Sequence, residues 1–209
     1  MQPYSFEAKL DRARQHLEKL GTELKAWIKC HPYRITNKYD LKSGDNVIYG
    51  QLTRPMPPLI NELAGDCLQN LRSSLDHLAF ELAIANKGSL TDAQQMQVAF
   101  PIFSDSNKFK RGGMKKIAFL SARAQKIIKS LQPFKTPNPT SHWLWSLEKL
   151  NNIDKHRRLL INSIINFGSL IHAPPGTRMQ CFKDCRDGVL SETKTELARY
   201  GSVAELVEK

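Results

Sequence analysis

Apolar residues recur at three- and four-residue steps through three long stretches of the chain, and each such stretch predicts an amphipathic helix. The first carries Phe6, Leu10, Ala13, Leu17, Leu20, Leu24, Trp27 and Ile28, with Ser5 placed to cap its start. The second opens at Pro58, a residue well suited to a first helical position, and carries Ile60, Leu63, Cys67, Leu71, Leu75, Leu78 and Leu82 on one stripe. Its later half adds Ala79, Phe80, Ala83, Ile84 and Ala85. Apolar residues then nearly encircle it, so it is expected at the centre of the fold with partners on several sides. The third stretch is SHWLWSLEKLNNIDKHRRLL, with Ser141 as its expected cap. Shorter helices are expected around Thr91 to Gln97 and from Ser121.

Between the first two helices, YRITNKYDLKSGDNVIYGQLTRP places β-branched and aromatic residues on either side of Ser43-Gly44-Asp45, the pattern of a β-hairpin. VAFPIF reads as an extended segment rather than a central strand, because its proline has no N–H for a ladder. Residues 104 to 116 are basic and contain Gly112-Gly113, which predicts a mobile, positive loop. After the third helix, LLINSIINF, RMQCF, GVL and TELARY alternate with turn residues and read as strands. The expected fold is mainly α, a helical bundle with a β-hairpin insertion and a small C-terminal β segment. It is read as one domain over residues 1–209, with a helical core at about 5–160, the hairpin at 33–54 and the β segment from about 160 onward.

Charge adds the strongest global signal. The 209 residues carry a formal net charge of +11, an attraction for phosphate backbones or anionic membranes that makes a polyanion the expected partner, without saying which. The basic clusters are Lys108 to Lys116, with Lys110 and Arg111, and Lys155 to Arg158, with Lys155, Arg157 and Arg158 as candidate nucleic-acid contacts. Plain solubility is the competing reading of the same charge. No apolar run approaches the roughly 18 residues of a membrane span, and the first helix is not signal-like, so no membrane and a cytoplasmic location are expected. Four scattered cysteines suit reduced thiols. Cys181 and Cys185 have only His172 nearby and no second ligand pair, so no metal is expected. No P-loop, nucleophile elbow, H-E-x-x-H or dinucleotide fingerprint occurs, and no cofactor is expected.

Two stretches hold unusual polarity. NLRSSLDH brings Asn70, Arg72, Ser73, Asp76 and His77 onto the helix expected to be most buried, which is costly unless these groups are paired or used. One reading is structural, with Arg72 and Asp76 as an i,i+4 ion pair in a buried polar network. In the third helix, the apolar face of Trp143, Leu147 and Leu150 is continued by Asn151, Asp154 and Arg158. Asp154 then points toward the protein and needs a cationic partner, for which Arg72 is the expected one. The competing reading is a helix end leaving the core, its Lys155, His156, Arg157 and Arg158 answering the negative end of the helix dipole.

Arg72-Ser-Ser-Leu-Asp-His77 resembles the R-x4-H motif of HEPN domains, helical proteins that include metal-independent ribonucleases of toxin and phage-defence systems. The wider run of NLRSSLDHLAFELA, FPIF, LQPF and LWSLEKLNNIDKHRRLL is similar to a group of bacterial proteins over residues 60 to 160. The resemblance implies that His77 moves protons on the ribose 2′-hydroxyl and leaving oxygen while Arg72 holds the phosphate. It also implies a homodimer, a possible protein antitoxin, and supporting roles for Asn70, Asp76, Asp154 and His156. Ser73 departs from the pattern, since HEPN nucleases usually place Asn, Asp or His directly after the arginine. The rival expectation is a non-catalytic protein-interaction or structural protein in which the same residues fix packing.

Overall fold

The computed structural model describes residues 4–156, 177–181 and 195–202. The three amphipathic stretches form the long helices α1 (Ser5–Lys29), α2 (Pro58–Lys87) and α7 (Trp143–His156). Between α2 and α7 lie α3 (Asp92–Gln97), α4 (Ser106–Lys108), α5 (Met114–Lys116) and α6 (Ala122–Ser130). Strands β1 (Tyr33–Asp40), β2 (Asp45–Leu52), β3 (Thr177–Cys181) and β4 (Thr195–Ser202) complete the order. The fold is thus mainly α, with the hairpin inserted between α1 and α2 and β structure after α7. No helix among the described residues is long and apolar enough to cross a membrane. The chain divides into two compact units, Met1–Thr22 with Leu59–Leu159, and Glu23–Pro58 with Leu160–Lys209.

In the first unit the core forms on a side of α2 that periodicity does not single out. Ala79 and Ala83 are buried against Phe100, Ile102, Phe109, Ile117, Leu120, Ile128 and Leu144. Ile60, Leu63 and Cys67 of the leucine stripe are buried as expected, whereas Leu71, Leu75 and Leu78 are only partly so. The alanines let neighbouring segments approach the helix axis closely, and the bulky leucines are left at the flank. Burial of Cys67 raises its thiol pKa, which keeps it protonated.

Two caps differ from expectation. α1 begins at Ser5 itself, after Tyr4, whose carbonyl accepts from the N–H groups of Glu7 and Ala8 at 3.0 and 3.2 Å. The Ser5 side chain points elsewhere. Ser141 belongs to a 3-10 turn, and it is the Nδ1 of His142 that accepts from the Leu144 N–H of α7 at 3.2 Å. Thr91 and Ser121 cap α3 and α6 as their sequences predict. Residues 98–103 form no strand, and their polar backbone finds side-chain partners instead. The buried Gln132 accepts from the Phe103 N–H at 3.1 Å and donates to the Pro101 carbonyl at 2.8 Å.

The basic segment expected as a mobile loop is helical. Asp105 accepts from the Lys108 N–H at 2.7 Å and starts α4, and this hydrogen bond holds its carboxyl below the usual carboxylate range. A π-helical turn at Phe109–Gly113 continues into α5. Its anchor is Phe109, 1% exposed and set edge-on to Phe103 at 6.0 Å. Gly113 is there for closeness, since a Cβ on it would stand 2.6 Å from the Phe109 ring and 3.1 Å from that of Phe103.

The second unit holds a four-stranded antiparallel sheet of order β1-β2-β4-β3. Tyr33 faces Leu52 and Asp40 faces Asp45 across the hairpin, whose turn uses Gly44 at φ 71°. RMQC and TELARY are therefore in strands as expected, Phe182 lying outside the described residues, and β4 pairs with the hairpin. Arg199 of β4 donates to Asp40 at 3.0 Å and also to Glu196, and these bonds hold its pKa up, Glu196 contributing most. LLINSIINF, GVL, His172 and Cys185 lie outside the described residues.

Gly113→Ala is expected to destabilise the protein by about 1–3 kcal/mol through overpacking. That outweighs the roughly 1 kcal/mol by which alanine favours a helix over glycine. Urea denaturation checks it, and an unchanged or raised midpoint would show that the phenylalanine rings yield freely.

Candidate functional site

Each helical residue advances about 100°, so Arg72 and His77, five apart, leave α2 roughly 140° from one another. The structure gives them separate surroundings. Arg72 is 9% exposed, and each of its guanidinium nitrogens is engaged. Nε donates to Glu148 Oε2 at 2.9 Å, Nη1 to Asp76 Oδ1 at 2.7 Å and Nη2 to the Phe100 carbonyl at 3.0 Å. Asp76 Oδ1 in turn accepts from the Phe100 N–H at 2.9 Å. Arg72 and Asp76 thereby take up both backbone polar groups of Phe100, while Glu148 brings in α7.

The expected i,i+4 pair of Arg72 with Asp76 is present, but Glu148 rather than Asp154 is the partner from α7. Asp154 lies against α2 one further stretch along, over Gly65, where a Cβ would come within 2.5 Å of its Oδ1. A helical glycine at that point gives the carboxylate its space. The inward face of α7 also differs from expectation: Leu144, Leu147 and Asn151 are buried, while Trp143 and Leu150 face outward. The polar continuation of the face holds at Asn151, which is 1% exposed with its Oδ1 unpartnered.

On its own side of α2, half-buried His77 has Nδ1 at 3.0 Å from the Ser5 hydroxyl of α1. That hydroxyl donates to Glu81 Oε1 at 2.6 Å, and the Ser5 N–H donates to the same oxygen at 2.8 Å. Ser5 has one hydroxyl proton, and Glu81 takes it. His77 then donates from Nδ1, and in the neutral ring this leaves the lone pair on Nε2.

The other candidates are dispersed. Asn70 donates to the Asp66 carbonyl of its own helix at 2.8 Å, and Ser73 is half-buried. Lys110 and Arg111 are exposed on the π turn, and Lys155 is exposed at the end of α7. His156 is the last residue of α7, and Arg157 and Arg158 lie outside the described residues. Among the described residues no hydrogen bond or ion pair joins Lys110, Arg111 or Lys155 to Arg72 or His77. No group of three or more His, Cys, Asp or Glu there is placed to hold a metal ion.

Comparison with protein-family models, curated proteins and solved structures finds no match. The chemistry of the site therefore rests on its geometry. Sequence reasoning missed Glu148, Ser5 and Glu81. Glu148 sits beside Lys149 in what reads as a solvated face, and Ser5 and Glu81 are 76 residues apart, so no local pattern joins them.

Arg72→Met is expected to cost about 3 kcal/mol, the lower end for a broken buried ion pair, because Asp76 and Glu148 keep some contact with water. Glu148→Gln should cost less, since the clamp holds two carboxylates for one guanidinium. Equal melting temperatures for wild type and Arg72→Met would sink the clamp. For His77, nitrogen NMR of the neutral ring should show the Nδ1-protonated tautomer, lost in Ser5→Ala; an Nε2-protonated wild type would contradict the assignment.

Proposed function

We propose that the protein is a non-catalytic helical interaction module in which Arg72, Asp76 and Glu148 fix packing. The observation that carries this reading is the state of Arg72. A guanidinium that binds phosphate needs its fork of N–H groups turned toward solvent. Here the three nitrogens meet two carboxylates and a carbonyl, at 9% exposure. One arginine against two carboxylates leaves a formal excess of one negative charge, which repels rather than gathers phosphate. The HEPN-like motif is then a packing motif in this chain. A cytoplasmic setting accords with the free thiols of Cys30 and Cys67.

One observation favours a second reading, that of an RNA-binding, metal-independent ribonuclease of HEPN type. The lone pair that Ser5 and Glu81 leave on Nε2 of the neutral His77 ring suits a general base. The net charge of +11 and the exposed Lys110 and Arg111 suit RNA. In this reading Arg72 acts through the fold and touches no substrate.

Incubation of mixed cellular RNA with wild type, Arg72→Ala and His77→Ala in chelator separates the two. The interaction module predicts intact RNA in all three, with a lowered melting temperature confined to Arg72→Ala. Cleavage by wild type to 2′,3′-cyclic phosphate ends, abolished in His77→Ala, would replace it with the ribonuclease.

A further inference from the structure

Charge is not spread evenly along the chain. Residues 104–135 hold nine lysines and arginines and a single carboxylate, Asp105, and so carry eight of the eleven formal positive charges. Asp105 is taken up by the start of α4. Among the described residues no hydrogen bond or ion pair engages any of the nine cationic side chains. They are also held on ordered backbone. Phe109 pins the π-helical turn that presents Lys110 and Arg111, and Ile128 pins α6, which presents Arg123, Lys126 and Lys129. Both anchors belong to the same apolar cluster. Cations on a fixed backbone lose less conformational entropy on binding than cations on a loose loop.

The solvent side of α6 is not purely polar. Ile128 is buried there and Ala124 packs beside it, but Ile127 is left 50% exposed and Leu131, at the C-cap, 43%. Arg123, Ile127 and Leu131 stand four residues apart, so they run in one line along the helix, with Lys126 and Lys129 further round its exposed side. The result is a short aliphatic ridge bordered by unpaired cations. A face built only for solubility gains nothing from such a ridge.

We infer that the α6 face docks an acidic segment of another protein, one that carries apolar side chains at helical spacing among its Asp and Glu residues. The inference rests on the interaction-module reading and names the chemistry of its partner. The unpaired cations are complementary to carboxylates, and the ridge of Ile127 and Leu131 is complementary to the apolar face of a helix. The two together select this occupant. A single-stranded nucleic acid binds through its phosphates and by stacking its bases on aromatic rings, and α6 offers aliphatic side chains instead. An anionic bilayer takes up a helix by its broad apolar face, which α6 has already given to the core through Ile128 and Ala124. A second copy of this chain would bring the same excess of cations.

The test is fluorescence anisotropy of a labelled Glu peptide with Leu at three- and four-residue steps, titrated with the full chain at low salt. The same peptide with Ala for Leu and a polyuridylate of equal charge are measured beside it. The Glu/Leu peptide is expected to bind about tenfold more tightly than the Glu/Ala peptide, the effect of covering two half-exposed aliphatic side chains. Ile127→Ser with Leu131→Ser should remove that preference and leave Glu/Ala binding in place. Lys126→Glu with Lys129→Glu should weaken both peptides about tenfold or more. The same charge change at exposed Lys19 and Lys25 of α1 should leave both unchanged. Unchanged circular dichroism will show that the variants fold. Equal affinity for the two peptides overturns the inference, as does a preference that survives in the Ile127/Leu131 variant or an equal loss in the α1 variant. Polyuridylate that binds more tightly than the Glu/Leu peptide, and loses affinity in the Lys126/Lys129 variant, assigns the face to nucleic acid and overturns it too. The peptides hold no phosphodiester, so a ribonuclease activity, which would replace the interaction-module reading, is seen only in the separate RNA incubation.

Discussion

A guanidinium at 9% exposure must be paired, and the way Arg72 is paired organises the helical unit. Its three nitrogens reach its own helix, the Phe100 backbone and α7, so one side chain joins three segments far apart in sequence. Phe100 cannot pair in a ladder, because residues 98–103 form no strand. Arg72 takes its carbonyl and Asp76 its N–H, which lets the phenylalanine and the following Ile102 enter the core without orphaned backbone groups. Gln132 does the same for Pro101 and Phe103. Three polar side chains, Arg72, Asp76 and Gln132, thus stand in for the strand partner that this extended segment lacks.

The elements were legible because periodicity is a local property. α1, α2 and α7 fall where their three- and four-residue apolar steps place them, and the hairpin lies where turn residues interrupt alternation. What the pattern could not show is which apolar side of α2 becomes the core. Hydrophobicity ranks leucine above alanine, but a core is a packing problem, and Ala79 and Ala83 allow the closest approach while Leu75 packs at the margin of the same cluster. The basic segment was misread for a related reason. Gly112 and Gly113 signal a loop when read alone, yet at Gly113 the missing side chain makes room for two phenylalanine rings, one of them Phe109 of the same turn.

The candidate site was legible in its residues and not in its partners. Arg72, Asp76, His77 and Asn151 stand out as polar groups on apolar faces, and each does occupy an unusual environment. Their assignments depended on helix phase and on distant residues. Glu148 meets Arg72 because α7 crosses α2 with Asp154 already committed to Gly65, and no spacing rule encodes that crossing. Ser5 could be recognised as a residue near a helix start, but its hydroxyl belongs to Glu81 and His77 rather than to the helix end.

α2 consequently divides its circumference among different tasks. One side carries Arg72, which ties in α7 and residues 98–103, and further along Ala79 and Ala83, which build the core; the His77 side receives α1, and Leu71, Leu75 and Leu78 are left partly buried at the flank. These roles are coupled through helix phase: a rotation of α2 that sank Leu75 and Leu78 into the core would carry Arg72 away from Glu148 and Phe100. Leaving a buried guanidinium unpaired costs several kcal/mol. Leu75 and Leu78 are already partly buried, so sinking both gains only a fraction of the roughly 1.5–3 kcal/mol that full burial of each would give. The clamp therefore holds α2 in the phase that keeps Leu71, Leu75 and Leu78 only partly buried, a consequence of how a single buried charge is satisfied.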